Sequence, residues 1–245
     1  MEGEILLEHV RGYVGEHIGK FHRKKLDRLV KLKLKQVLKK KNPYLFKAKH
    51  LENVNDLIRS ILDAYISSSE ETIFGDWLEE LAIYVNQLVY NGRKSSAKGI
   101  DLEFEKGNTI YLVSIKSGPN WGNSSQMKKL ESDFKSAIRT LRTSNNKVHV
   151  EAINGCCYGQ RYTDKGSYQM ICGQRFWELI SGDYDLYAEI IEPIGYEAKQ
   201  RNVEFQLEFD KLTNRFTKEF LEEFCLPDGQ IDWESLVRFN SSTKN

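Results

Sequence analysis

Two β-rich runs limit what this chain can fold into more than any other feature. They are Gly99-Ile-Asp-Leu-Glu-Phe104 and Thr109-Ile-Tyr-Leu-Val-Ser-Ile-Lys116, with Lys106-Gly107-Asn108 between them. Gly and Asn tolerate the positive φ of a tight turn, so the pair reads as a β-hairpin. What surrounds it is helical. Ile5, Leu6, Val10, Tyr13, Val14, Ile18 and Phe21 recur at helical spacing within a mainly helical stretch from Gly3 to Leu38. Leu32-Lys33-Leu34-Lys35 also alternates with period two, which leaves its own state open, and Asn42-Pro43 ends whatever precedes it. A second helix is expected over Val54 to Ala64. Ser67-Ser-Ser-Glu-Glu-Thr72 then reads as the capping signal of a third, which continues to about Tyr90.

Beyond the hairpin, Gly118 to Asn123 is a loop and Ser124 to Leu141 a helix. Lys147 to Ile153 is a strand that runs into Gly155-Cys-Cys-Tyr-Gly159, and Tyr168 to Cys172 is a short strand. From Gln174 the chain turns helical, most clearly over Glu197 to Phe224. This order predicts an α/β fold: a mixed sheet flanked by helices, with helical N- and C-terminal extensions. The division expected is a basic helical extension over residues 1–41 and a main domain over 42–245. Phe205, Phe209, Phe216, Phe220 and Phe224 form a stripe that belongs to a core or a dimer interface.

Composition removes several function classes. Hydrophobic residues make up 40% and charged residues 29%, as in soluble globular chains. No apolar run approaches the ~18 residues of a membrane span. The first residues carry acids and lack a signal-peptide pattern, so a cytoplasmic address is expected. The four cysteines show no CxxC spacing and read as free thiols, and the five histidines form no metal-ligand cluster. The net charge of +1 conceals an asymmetry, since Lys20 to Lys41 holds eleven Lys/Arg and one acid, Asp27. Such a segment either meets a polyanion or forms a solvated helix face.

The chemistry concentrates on the hairpin. Asp101 opens its first strand and Lys116 ends its second, so the two can converge across neighbouring strands. A carboxylate that anchors a divalent cation, beside a lysine that orients water and offsets charge on phosphorus, is what phosphodiester hydrolysis needs. The pattern resembles the PD-(D/E)XK nuclease superfamily, with Ile100 in place of the proline and Ser114 in place of the acid of the acid-any-Lys triplet. Restriction enzymes of this superfamily that cut around a CCGG core also carry Ser-any-Lys. They regain the acid from the following helix in a segment similar to Ser125-Gln126-Met-Lys-Lys-Leu-Glu131, here one residue longer. The resemblance therefore implies Glu131 as the replacement ligand. Gly75-Asp-Trp-Leu-Glu79 resembles the Gly-x-x-x-Glu of junction resolvases and offers Glu79, with Glu71 on the same helix and Glu103 beside Asp101 as further candidates.

Blocks spread over roughly residues 40 to 240 are similar to one family of bacterial restriction endonucleases, the PmeII-like group. They are Asn42 to Phe46, Ser67 to Gly75, Gly99 to Phe104, Ser114 to Asn123 and Gly155 to Gly159. The resemblance implies a Mg2+-dependent, site-specific deoxyribonuclease that leaves 5′-phosphates on double-stranded DNA. It also implies a homodimer matched to a palindromic site and a separate cognate DNA methyltransferase. Residues 42–245 would then be the nuclease domain.

DNA contacts are expected from Ser114, Ser117, Asn120, Asn123 and Gln126 around the loop after Lys116, and from Arg161 and Lys165 after the next strand. Ordinary turns and solvated loops are the competing reading of these segments. A structure-specific nuclease of the resolvase or repair type and a non-catalytic DNA-binding module remain as alternatives, the latter because of Ser114.

Overall fold

A computed structural model of the chain describes residues 3–144, 149–195 and 198–243. The elements are α1 (Gly3–Val30), α2 (Leu34–Leu38), α3 (Pro43–Ala48), α4 (Val54–Tyr90), β1 (Arg93–Lys94), β2 (Leu102–Lys106), β3 (Thr109–Lys116) and α5 (Ser124–Ser144). They continue with β4 (His149–Cys156), β5 (Tyr162–Asp164), β6 (Gln169–Cys172), α6 (Gln174–Ser181), α7 (Leu186–Glu189), α8 (Ile191–Gly195), α9 (Ala198–Phe224) and α10 (Trp233–Ser241). The chain divides into two compact units: a sheet unit of residues 1–19 and 74–196, and a helical unit of residues 20–73 and 197–245. Residues 1–41 thus contribute to both, and α4 begins in the helical unit and ends in the sheet unit.

The sheet unit holds the mixed sheet expected from the sequence, with six strands in the order β1-β2-β3-β4-β6-β5. The hairpin pairs Lys106 with Thr109 around Gly107-Asn108, and Gly107 supplies the positive φ, +63°. β3 and β4 run parallel, as do β4 and β6, and α5 makes the crossover between β3 and β4. The C-terminal halves of β3 and β4 are buried without alternation, as strands covered on both faces must be. Ile100, Leu112, Leu130, Phe134, Val150 and Ala152 pack α5 onto one face of the sheet. On the hairpin, Tyr90 at the end of α4 stacks on Phe104 at 5.5 Å, and Phe104 stacks on Tyr111 at 5.0 Å. Because β3, β4 and β6 are parallel, Lys116, Cys156 and Cys172 stand side by side at the C-terminal ends of these strands. The loops that follow them open there.

The helical unit is built around an apolar cluster from α2, α3, the first part of α4, α9 and α10, including Leu34, Phe46, Leu57, Leu62 and Leu236. The phenylalanine stripe of α9 belongs to this core: Phe209, Phe216, Phe220 and Phe224 are buried and Phe205 partly so. No helix among the described residues is long and apolar enough to cross a membrane.

The structure departs from the sequence expectations in three places. Ser67 to Thr72 starts no new helix, because α4 runs unbroken through it. The hydroxyls of Ser68 and Thr72 instead donate to the carbonyls of Ala64 and Ser68, four residues back. Asn42-Pro43 opens a helix as well as ending one: the Asn42 carboxamide accepts from the N–H groups of Tyr44 and Leu45, and Pro43 fills the first turn. The loop after Gly159 contains an edge strand, β5, too short to show a period in the sequence.

Candidate active site

Asp101 lies immediately before β2, and its N–H extends the ladder by donating to Val113 O at 2.9 Å. Its carboxylate crosses to β3. Oδ2 accepts from the Ile115 N–H at 2.7 Å and from the Ser114 hydroxyl at 3.3 Å. Lys116 Nζ stands 3.6 Å from the same oxygen and donates to the Ile115 carbonyl at 2.8 Å. The two residues read from the hairpin are therefore in contact. Ser114, grouped above with the DNA-facing residues, is fully buried, and its hydroxyl serves Asp101.

Glu79 joins them from α4. Gly75 lets the helix approach closely: a Cβ there would sit 3.3 Å from Ser117 Cβ, in the loop directly after Lys116. Glu79 follows one helical turn later, on the same side of the helix. Burial first, and the neighbouring Asp101 carboxylate second, push the Glu79 carboxyl above its ordinary value, while Lys94 and Lys116 pull it down. Lys94 Nζ is 3.7 Å from Glu79 Oε1.

The other acids keep different company. Glu103 accepts from Arg93 at 2.8 Å and from the Ser95 hydroxyl at 3.4 Å. Glu131 is paired with Lys135 at 2.7 Å. Hydrogen bonds from Lys135 and Ser167 hold its carboxyl below the usual value. No described contact joins Glu131 to Asp101. Another α5 carboxylate, Asp133, is packed against Gly99, where a Cβ would come 2.5 Å from Asp133 Oδ2. The glycine, with φ of +75°, is what allows this approach. Glu71 lies in the helical unit.

Among the described residues, no three His, Cys, Asp or Glu side chains cluster as a metal cage. Magnesium does not require one, since it retains several waters and binds through one or two carboxylates together with substrate phosphate. Asp101 and Glu79 are hard oxygen donors whose repulsion a cation would relieve, so this pair fits such an ion.

The loop after Lys116 is tied down on several sides. Asn123 Oδ1 accepts from the N–H groups of Ser125 and Gln126 at 3.1 Å, and Gln126 Oε1 accepts from the Asn123 N–H at 2.8 Å. This reciprocal cap starts α5. Arg161 donates to the Pro119 carbonyl at 3.1 Å and to Asn120 Oδ1 at 3.4 Å, which binds the loop after β4 to the loop after β3. The Ser117 carbonyl accepts from the Tyr158 N–H at 3.2 Å. Gly118 packs against the Tyr158 ring, where any side chain would collide. Arg161 and Lys165 line a cavity of about 460 Å³ with Lys128, Glu131, Thr163 and Tyr168.

Sequence reasoning missed Asn154. It is wholly buried on β4, accepts from Trp121 Nε1 at 3.0 Å and donates to the Ser114 carbonyl at 3.3 Å. The available signal was an asparagine, a poor strand former, inside the apolar run Ala152-Ile153-Asn154-Gly155-Cys156.

Asp101, Lys116 and Glu79 form a compact charged site at the strand ends of a mixed sheet, a setting suited to phosphate chemistry. A search among curated proteins returned no match. The family profile described as type II restriction endonuclease EcoO109I matches residues 8–202, a span that takes in the whole sheet, α5, Glu79, Asp101 and Lys116. The chain belongs to the EcoO109I family of type II restriction endonucleases.

Proposed function

We propose that the protein is a Mg2+-dependent endonuclease that hydrolyses double-stranded DNA at a specific sequence and leaves 5′-phosphates. The observation that carries this reading is the contact of Lys116 with Asp101, completed by Glu79 from α4. In this reading Asp101 and Glu79 hold the ion. When bound, it polarises the scissile phosphate and makes hydroxide available near neutral pH. The Ile115 N–H and the Ser114 hydroxyl fix the Asp101 carboxylate, so it does not have to reorganise during the reaction. The Lys116 ammonium orients the attacking water and offsets negative charge gathering on the phosphate oxygens. Water loses a proton and adds to phosphorus, the bond to the 3′-oxygen breaks, that oxygen takes up a proton from solvent, and the phosphate stays on the 5′-oxygen.

Glu131 is retained as an alternative carboxylate of the site, on condition that its pair with Lys135 opens when DNA binds. Glu103 would likewise have to leave Arg93, and Glu71 would act from the helical unit. Ser117, Asn120, Arg161 and Lys165 are assigned to DNA contacts. Asn123 and Gln126 assist by setting the start of α5. The basic stretch from Lys20 to Lys41 is assigned to the phosphate backbone. A homodimer would cut both strands of a palindromic site, and a separate cognate methyltransferase would protect the host's own copies. The narrower kinship with PmeII-like enzymes is part of this reading and rests on the sequence blocks.

The test is incubation of mapped plasmid DNA with Mg2+, followed by sequencing of the fragment ends. A discrete ladder whose ends share one sequence is expected. Cleavage of branched DNA alone would move the protein to the structure-specific nucleases.

A further inference from the structure

Asn154 is a buried polar side chain on a strand where every neighbour from Ala152 to Cys156 is buried as well. Burying a carboxamide is costly unless both ends are bonded. Both ends are bonded here, and both partners lead to the active site. Trp121 Nε1–H, which can only donate, reaches Asn154 Oδ1 at 3.0 Å. Asn154 Nδ2–H reaches the Ser114 carbonyl at 3.3 Å. Those two partners also fix which way the amide faces, since the indole requires the oxygen and the carbonyl requires the nitrogen.

From each partner the path continues by one contact. The Trp121 ring lies 5.4 Å from Lys116 Nζ, within reach of a cation–π interaction, so it flanks the ammonium. Ser114 carries the hydroxyl that donates to Asp101 Oδ2, and the next residue supplies the N–H that does the same. Register places Asn154 directly opposite Ser114 and Cys156 opposite Lys116, so the amide sits two residues behind the lysine on the adjacent strand. One side chain therefore braces the ring beside Lys116 and the peptide that carries Asp101's hydrogen-bond donors.

We infer that Asn154 is a positioning residue for DNA cleavage, acting through Trp121 on Lys116 and through Ser114 on Asp101. This rests on the nuclease reading above. It makes Trp121 part of the same device, and it accounts for a tryptophan in a loop of Gly, Pro and Asn. Outer hydrogen-bond partners of this kind cost about 10- to 100-fold in activity when removed.

The experiment measures single-turnover cleavage of plasmid DNA with Mg2+, alongside DNA affinity without Mg2+ and the thermal midpoint, for three variants. Asn154→Ala removes both bonds. Trp121→Phe keeps an aromatic ring at this position while removing the indole N–H along with part of the ring, so it tests the Asn154 bond without touching Asn154 if Asn154→Ala does not fold. The third variant carries both changes. Asn154→Ala should cleave about 10- to 100-fold more slowly and Trp121→Phe about tenfold more slowly, with DNA affinity within about twofold of wild type. Because the two substitutions break one shared bond, the double variant should be no slower than Asn154→Ala by itself. Wild-type rates, affinity lost in step with rate, or effects that multiply in the double variant would each overturn the assignment. If the wild-type protein cleaves nothing in the same assay, the nuclease reading itself falls, and this inference falls with it.

Discussion

The two units of the chain differ in what their buried polar side chains reach. Among the described residues, the buried polar side chains are Asn86, Ser114, Asn154 and Ser181 in the sheet unit and Thr213 in the helical unit. Thr213 returns a hydrogen bond to Phe209 O, and Ser181 to Trp177 O, each four residues back on its own helix. Across strands, Ser114 instead donates to Asp101, and Asn154 donates to the Ser114 carbonyl. The helical unit fills its interior with Leu, Ile, Val and Phe and has little to do there except be stable. The sheet unit gives up apolar interior to hold two charged groups in register, and it keeps Glu79 and Asp101 close enough to repel.

That contrast can be broken by substitution, and the largest effect should come from the charged pair. Asp101→Ala and Lys116→Ala should each lower the cleavage rate by at least about 10³-fold. The thermal midpoint of Asp101→Ala should fall, because the Ile115 N–H and the buried Ser114 hydroxyl lose their acceptor. Retention of near wild-type cleavage by the folded variant would instead make Asp101 a structural residue. In the helical unit stability alone should fall. Phe216→Ala empties a fully buried position and should cost about 3–5 kcal/mol of stability, read by denaturant unfolding. Cleavage per folded molecule should be unchanged.

Glu79 gives the next largest effect and a pH signature. Its carboxyl sits above its ordinary value, chiefly through burial and then through Asp101. Protonation of Glu79 therefore favours the fold. The stability gained this way is full at acid pH and is lost as pH rises through the raised value. Glu79→Gln should accordingly be more stable than wild type at neutral pH while cutting DNA far more slowly. Ion binding needs the ionised carboxylate, so the Mg2+ concentration for half-maximal cleavage should rise as pH falls, and this dependence should weaken in Glu79→Gln. If Glu131→Gln or Asp133→Asn abolishes cleavage and Glu79→Gln does not, the second carboxylate comes from α5. The smallest effect belongs to the cap: Asn123→Ala should cost about 1 kcal/mol in thermal unfolding with a modest loss of rate.

Much of this arrangement was legible in the chain because it rests on local chemistry. The hairpin follows from its turn residues, and the meeting of Asp101 with Lys116 follows from the hairpin. Gly75 and Glu79, four apart on a helix, carried both the close approach and the acid. The α9 stripe declared the second core by its period. What was hidden depends on packing that no local pattern encodes. Glu131 and Asp133 are two residues apart and therefore point to opposite sides of α5. Only the rotation of the docked helix sets Asp133 against Gly99 and Glu131 against Ser167. Hydroxyls at Ser68 and Thr72 have the chemistry of a cap, but tertiary packing continued the helix through them. The interleaving of residues 1–19 with 74–196 is likewise a long-range outcome. Asn154 owes its meaning to Trp121, 33 residues earlier in the chain.

The most direct test of the central claim is cleavage of plasmid DNA by the wild-type chain and by Lys116→Ala in parallel, with and without Mg2+. Discrete fragments with 5′-phosphate ends are expected from the wild type, only when Mg2+ is present, and none from Lys116→Ala. The same fragments from both proteins would contradict it, because the active site would then lie elsewhere than beside Asp101 and Lys116.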